Sequence, residues 1–277
     1  MPHIDSRRST LRALPSFMEK TMGEACSFVW YELMTSDAAA ASAFYAGVVG
    51  WEPRDAGMPM PYTMLHASGQ PIGGLMALTP EMQQGGARPA WCGYVGVPSV
   101  DDHVQKLTAA GGSICKPPQD IPGVGRFAVV ADPHGAVFML FQGSEGDSAP
   151  PRDASAPGQV GWNELHAGQG DEAFAFYAGL FGWTKDQALD MGPAGPYQLF
   201  KTGGAEAAGG MMTKMPEMPV AAWLFYFNVE AIDAAVERVK AGGGQVVHGP
   251  MQVPGGGWII NAIDPQGALF ALAAPRR

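Results

Sequence analysis

Apolar residues in this chain follow two spacings that succeed one another in a fixed order. Over 26–34 aromatic and β-branched residues crowd the centre of a short run, which predicts a strand. Ala41, Phe44, Tyr45 and Val48 then recur at the spacing of one buried helix face. Ser36 or Asp37 stands where a helix N-cap is expected, and Gly50 where the helix should stop. Trp51 opens a short strand limited by Pro53. The segments 62–67 and 72–78 read as strands turned at Ser68-Gly69-Gln70. The order is strand, helix, three strands.

The same order returns three more times. Strand 91–97 precedes a helix capped by Ser99, with Asp102 at the capping-box position and Val100, Val104 and Leu107 inward. Gly111-Gly112 stops it, and 113–116, 126–131 and 136–141 read as strands, the last two joined by Asp132-Pro133-His134-Gly135. Beyond residue 158 the pattern repeats: strand 161–166, a helix carrying Phe174, Tyr177 and Phe181, and strands 197–201 and 208–212. Strand 223–229 leads to a helix over 231–241 stopped at Gly242-Gly243-Gly244, then strands 245–248, 258–263 and 268–273 around Asp264-Pro265-Gln266-Gly267. Residue identities repeat as well. Trp30-Tyr31-Glu32-Leu33, Phe44-Tyr45-Ala46-Gly47 and Gly50-Trp51 recur as Trp162-Asn163-Glu164-Leu165, Phe176-Tyr177-Ala178-Gly179 and Gly182-Trp183, all 132 positions later. A repeat of that length marks a duplicated domain. Between these landmarks the offset grows to 135 at Tyr62 and Tyr197 and to 136 at Gly73-Gly74 and Gly209-Gly210. The second copy therefore carries extra residues over 184–208, expected in surface loops near a site mouth.

These patterns divide the chain into a tail over 1–24, expected to be mobile, a first domain over 25–143, a Pro- and Ser-rich linker over 144–158 and a second domain over 159–277. Met18 and Met22 are alternative starts. With 277 residues, each domain is long enough for its own core. A net charge of −9 without a basic stripe argues against nucleic acid. No apolar run approaches a membrane span, and no secretory signal is visible. Cys26, Cys92 and Cys115 show no metal or disulfide spacing, as expected of reduced thiols in a cytoplasmic protein.

Four signals coincide in both halves: F-Y-x-x-x-x-G-W after the first helix, a Gly-Gly strand, a helix ending in Gly-Gly, and D-P-x-G before the last strand. Together they resemble the glyoxalase, bleomycin-resistance and extradiol-dioxygenase superfamily, also called vicinal oxygen chelate, in its tandem branch often labelled glyoxalase-like or hydroxylase. The resemblance implies an α+β fold of two tandem domains. Each would pair two βαβββ units in an open, curved, mixed sheet around a cavity. It also implies, in metal-using members, four inward His, Gln or Glu ligands on strands one, four, five and eight of each domain. Those positions fall on Trp30, Gly74, Cys92 and Met139 in the first half, and on Trp162, Gly210, Leu224 and Ala271 in the second. An indole N–H only donates, and a metal site needs three or four N, O or S ligands. Neither cavity is therefore expected to hold the family's usual divalent metal, and no cofactor is predicted.

Strand alternation names what should line the cavities instead. Trp30, Glu32 and Met34 share a face, as do Trp162, Glu164 and His166; Cys92 pairs with Tyr94 and Leu224 with Tyr226. Glu32 and Glu164 stand inside apolar strands, where an unpaired charge is costly. Each either holds a polar ligand or acts as a base, or else accepts hydrogen bonds and closes the cavity floor. His166, opposite Met34 in the first copy, joins them as a catalytic candidate. His66, with Lys201 as its counterpart, reads as a solvated edge; His103, His134 and His248 read as surface residues. The sixteen methionines fit either a core or a pliable apolar pocket. The glycine turns 123–125 and 255–257 fit either flaps or hairpin turns. The functional expectation is a monomer or homodimer that binds a small apolar or aromatic molecule without a metal. The alternative is a glyoxalase-like lyase or isomerase, or a dioxygenase or hydroxylase, using a metal on non-standard ligands.

Overall fold

The four strand–helix units assemble pairwise into two eight-stranded mixed sheets in the computed structural model, which describes residues 26–144 and 153–277. The 1–24 tail and most of the 144–158 linker lie outside the described residues. In the first half β1 (Phe28–Thr35), α1 (Ala38–Val49), β2 (Glu52–Asp55), β3 (Thr63–Ala67) and β4 (Gln70–Ala77) form one unit. After a short helix α2 (Pro80–Gln84) come β5 (Ala90–Gly96), α3 (Val100–Ala109), β6 (Ser113–Ile121), β7 (Gly125–Ala131) and β8 (Val137–Gly143). The second half repeats this as β9 (Val160–Ala167), α4 (Gly170–Phe181), β10 (Thr184–Asp190), β11 (Pro196–Lys201) and β12 (Gly209–Thr213). It continues with β13 (Ala222–Asn228), α5 (Ile232–Ala241), β14 (Gln245–Gln252), β15 (Trp258–Ile263) and β16 (Leu269–Ala274).

The first sheet runs β2-β3-β4-β1-β5-β8-β7-β6 and the second β10-β11-β12-β9-β13-β16-β15-β14. Within a unit the first and last strands are parallel, which requires the crossover that the helix supplies. The units meet through antiparallel β1–β5 and β9–β13 pairs. Local chemistry sets the helix ends. Asp37 accepts a hydrogen bond from the Ala40 N–H at 3.0 Å, and Gly50 closes α1 in the left-handed conformation at φ 86°.

Length and composition predict a core for each domain; the structure has a smaller buried cluster within each half and a large one shared by both. Tyr31, Leu33, Tyr45 and Trp51 of the first half lie in the same buried cluster as Leu165, Tyr177, Phe227 and Phe270 of the second. The reason is the aromatic content of the face between the sheets. Trp51 and Trp91 each pack edge-on to Phe227 at 4.8 Å between ring centroids, and Phe138 lies 5.4 Å from Tyr177.

Reciprocal hydrogen bonds lock the halves. Asp132 of the D-P-x-G turn uses Oδ1 to accept from the N–H groups of His134 and Ala136. Its Oδ2 accepts from the Tyr177 hydroxyl of the other half at 3.3 Å. Asp264 does the same, accepting from Gln266 and Ala268 N–H and from the Tyr45 hydroxyl at 3.1 Å. Each tyrosine in turn accepts from a tryptophan indole, Trp91 to Tyr45 at 2.8 Å and Trp223 to Tyr177 at 3.1 Å. Trp51 donates across to the Gly158 carbonyl, Trp183 to that of Cys26, and Tyr31 to its own matched position, Asn163.

The structure corrects several sequence readings. Much of the extra length over 184–208 is not loop but β10, seven residues against four in β2. Strand β6 continues through Pro117 and Pro118, because it is an edge strand with irregular pairing where a missing N–H costs little. His66 and His103 are buried, not solvated. His103 stacks on Phe181 of the other half, which the turn spacing of α3 alone does not reveal. His134 is half-buried, with Nε2 3.2 Å from Glu172 across the interface. His248 is exposed as expected. The glycine turns 123–125 and 255–257 connect hairpins.

The lock predicts that Tyr45→Phe, which leaves an Asp264 oxygen and the Trp91 indole without partners, destabilises the chain by about 1–3 kcal/mol. Urea unfolding of the variant, compared with Tyr177→Phe, measures it; no loss in either variant would remove the lock as a stabilising element.

Candidate functional site

Alternation along β1 sends Tyr31 and Leu33 into the shared core and Trp30 and Glu32 onto the opposite face. Directly paired residues share that face: Glu32 lies between Gly74 on β4 and Cys92 on β5, and Trp30 beside Tyr94, which is next to Met139 on β8. The structure thus brings together Trp30, Cys92, Tyr94 and Met139 in one buried cluster with Met64 and Phe141. Glu32 is 5% exposed among them.

Its carboxylate is solvated by the protein. The Tyr62 hydroxyl donates to Glu32 Oε2 at 2.9 Å and accepts from the Trp30 indole at 3.0 Å. Tyr94 supplies a further hydrogen bond. Burial, the largest influence, raises the Glu32 pKa; the two tyrosines and the Lys116 charge oppose it without overcoming it. Burial also pushes the Cys92 thiol up, with the Glu32 charge adding to it.

The second half rebuilds this arrangement with different consequences. The Tyr197 hydroxyl donates to Glu164 Oε2 at 2.8 Å and accepts from the Trp162 indole at 2.7 Å, and the Tyr226 hydroxyl donates to Oε1 at 3.1 Å. His166 Nε2 lies 2.9 Å from Oε1, a partner the first half lacks because Met34 stands there. Burial is again the largest single influence and acts upward. The His166 hydrogen bond and charge with the two tyrosines outweigh it, so the Glu164 carboxyl lies below the ordinary carboxylate range. Side chains of both Glu164 and His166 remain 13% exposed. Leu224, Tyr226 and Ala271 form the floor, with Trp162 and Ile259 against them.

Tyr62 and Tyr197 are the residues that sequence reasoning passed over, although their matched positions, 135 apart, are visible in the chain. Each crosses a glycine. A Cβ built on Gly74 would meet the Tyr62 hydroxyl at 1.9 Å, and one on Gly210 the Tyr197 ring at 2.2 Å. The strand-four position is therefore filled from the neighbouring strand, and no side chain fits there.

This bears directly on a divalent metal. The four positions hold Trp30, Gly74, Cys92 and Met139, and Trp162, Gly210, Leu224 and Ala271. The one donor among them, Cys92, is a buried thiol held protonated. Among the described residues no three His, Cys, Asp or Glu side chains are grouped to hold a metal ion. The donor set does not fit the family's metal site. Among the described residues, no helix is long and apolar enough to cross a membrane.

Two tandem sheets of paired βαβββ units, each with a Trp–Tyr–Glu–Tyr constellation on the face away from the shared core, define a glyoxalase-like fold. The profile of the Glyoxalase/Bleomycin resistance protein/Dioxygenase superfamily matches residues 27–140 and 159–272, and the chain belongs to that superfamily. The Mycobacterium tuberculosis protein named "Putative glyoxylase CFP32" is 33% identical over 251 residues, 89% of this chain and 94% of the relative. The Streptomyces peucetius "Anthracycline biosynthesis protein DnrV" is 28% identical over 259 residues, 89% of this chain and 92% of the relative. Among solved structures, the Mn(II)-bound glyoxalase from Novosphingobium aromaticivorans superposes with a TM-score of 0.63 at 17% identity, over 91% of this chain and 83% of that one. The 2,3-dioxygenase LapB from Pseudomonas sp. KL28 gives 0.61 at 14% identity, over 92% and 93%. At these identities the two structures share the fold alone.

The two carboxylates predict opposite pH signatures. Glu32, with its pKa raised, contributes stability below the ordinary carboxylate range that is lost as pH rises through its folded-state value. Glu164, with its pKa lowered, contributes stability above that range that is lost as pH falls through its folded-state value. At neutral pH, Glu32→Gln should be at least as stable as the parent, and Glu164→Gln about 1–3 kcal/mol less stable. Urea midpoints measured between about pH 3 and pH 8 decide it; equal effects of the two substitutions would contradict the assignment.

Proposed function

We propose that the chain binds a small aromatic molecule in the second cavity, without a metal. The observation that carries this reading is the difference between two sites of common plan. In the first, Met139 and Phe141 are buried in one cluster with Trp30, Cys92 and Tyr94, and Glu32 is buried beside it. In the second, Ala271 and Ala273 stand at the matched positions, and Glu164 and His166 keep contact with solvent. Trp30 is 2% exposed in the first copy, whereas Trp162 and Ile259 are partly exposed in the second, above a floor of Leu224 and Ala271 that stays buried. An aromatic ring matches these apolar residues, and the Glu164–His166 pair supplies a polar end. The Streptomyces relative carries anthracycline biosynthesis in its name, and anthracyclines are planar polycyclic aromatics; this supports the same ligand class. The first cavity, on this reading, is structural.

A second reading is favoured by the His166–Glu164 contact at 2.9 Å. A carboxylate held ionised beside an imidazole orients that imidazole, so the pair is suited to metal-free proton transfer on a bound aromatic substrate, with His166 as the group that exchanges the proton. A metal held by Glu164 and His166 alone falls short of the three protein ligands such sites use.

The test is isothermal titration of the intact chain with 2-methoxynaphthalene. Binding is expected in the parent and unchanged after dialysis against EDTA. Ala271→Met, which restores the residue of the first copy, should weaken it at least about tenfold by filling the floor. Binding that survives Ala271→Met, or that EDTA abolishes, would overturn the reading.

A further inference from the structure

Directly paired strand residues point to one side of a sheet, so a row of side chains can be followed across each half. On the face away from the shared core, Gly96, Phe141, Phe127 and Gln119 form one such row in the first half, on β5, β8, β7 and β6. The matched row in the second half, 132 positions later throughout, is Asn228, Ala273, Ile259 and Met251. Ala271, Asn261 and His248 belong to the next row of the same face.

The first half fills this row with its own ring. Phe141 is 1% exposed and lies edge-on to Tyr94, with 6.2 Å between ring centroids. The ring reaches as far as the start of β7, where a Cβ built on Gly125 would meet it at 2.8 Å. In the second half alanine stands in its place. Ala273 is partly exposed, and Tyr226, matched to Tyr94, loses the edge-on neighbour. A Cβ on Gly257, matched to Gly125, would meet only the Ala274 carbonyl at 3.5 Å and a Val253 methyl at 3.7 Å, both ordinary contacts. Asn228 stands beside Ala273, but its amide donates to the Ala154 and Ala156 carbonyls at 2.6 and 3.3 Å, which holds it against the segment ahead of β9.

The other end of the row changes in the same direction. Polar Gln119 becomes Met251, which is 37% exposed beside the partly exposed Ile259. Exposed apolar residues grouped at a site mark a contact surface, and a thioether packs favourably on an aromatic ring. The place is accessible at Ala273 and Gly257 and apolar at Ile259 and Met251, and the first half shows that it has the size of one ring.

We infer that Ala273 is a specificity-determining residue of the second half. It admits one aromatic ring of the ligand to the place that the Phe141 ring takes in the first half, edge-on to Tyr226 and against Ile259 and Met251. The inference rests on the second cavity being the binding site, and deepens that reading by naming where the ring stands and what it touches.

The experiment titrates 2-methoxynaphthalene into the intact parent chain and into Ala273→Phe and Met251→Gln, each of which restores a residue of the first half. Binding should weaken at least about tenfold in Ala273→Phe and about threefold in Met251→Gln. In methyl-labelled NMR spectra of the parent, the Met251 and Ile259 methyl resonances should shift as the probe binds, which reads the contact even if Ala273→Phe does not fold. Parent-like affinity in a folded Ala273→Phe, or Met251 and Ile259 resonances that stay in place while the probe binds, would overturn the inference and leave the second-cavity reading to its own test at Ala271. If the parent does not bind the probe at all, both fall.

Discussion

A carboxylate placed mid-strand in an apolar face has to be solvated by the protein, and that constraint organises both halves of this chain. The solution is a tyrosine from two strands away, just before β3 or within β11, whose hydroxyl takes the tryptophan indole on one side and reaches the carboxylate on the other. To get there the ring lies across the strand between, so that strand must carry a glycine; a Cβ on Gly74 or Gly210 would overlap the ring. Glutamate, tyrosine, tryptophan and glycine are thus one unit, not four coincidences. The unit occupies the space where a side chain of the fourth strand would contribute to a metal site. The mismatch with the family's metal follows from this packing as much as from the residue types.

The halves are held by a second unit, equally economical. Each D-P-x-G aspartate spends one oxygen on its own turn and the other on the tyrosine of the opposite half. A buried phenol has to find an acceptor, and the duplication supplies one to each half from the other. Because the face between the sheets is aromatic, the two domains share a core and do not merely touch. Such an interface constrains the faces turned toward it, and leaves the opposite faces free to differ.

They do differ, and the difference gives the site its character. In the first half burial dominates Glu32 and raises its pKa, and Met139 and Phe141 are buried in the cluster beside it. In the second, His166 and two tyrosines outweigh burial at Glu164, while alanines replace the large residues. The first copy buries Trp30 and Glu32, while the second keeps Trp162, Glu164 and His166 partly exposed.

Much of this was legible in the chain. The 132-residue repeat, the strand–helix order and the inward face of Trp30 and Glu32, or Trp162 and Glu164, follow from local periodicity, which depends only on residues a few positions apart. The extension of β6 beyond Lys116 and the whole of β10 were not legible, because prolines and exposed polar residues erase the alternation where only one neighbour is paired. His66 and His103 looked solvated because burial is decided by what packs on a residue from elsewhere in the chain. The partners of Glu164 come from β11 and β13, and only sheet register places Tyr197 and Tyr226 on one carboxylate. By itself the sequence determined the duplication, the fold class and the residue types available for chemistry. Only the tertiary structure decided which of the two matched carboxylates is held above the ordinary range and which below it, because burial and hydrogen-bond satisfaction are sums over neighbours distant in sequence.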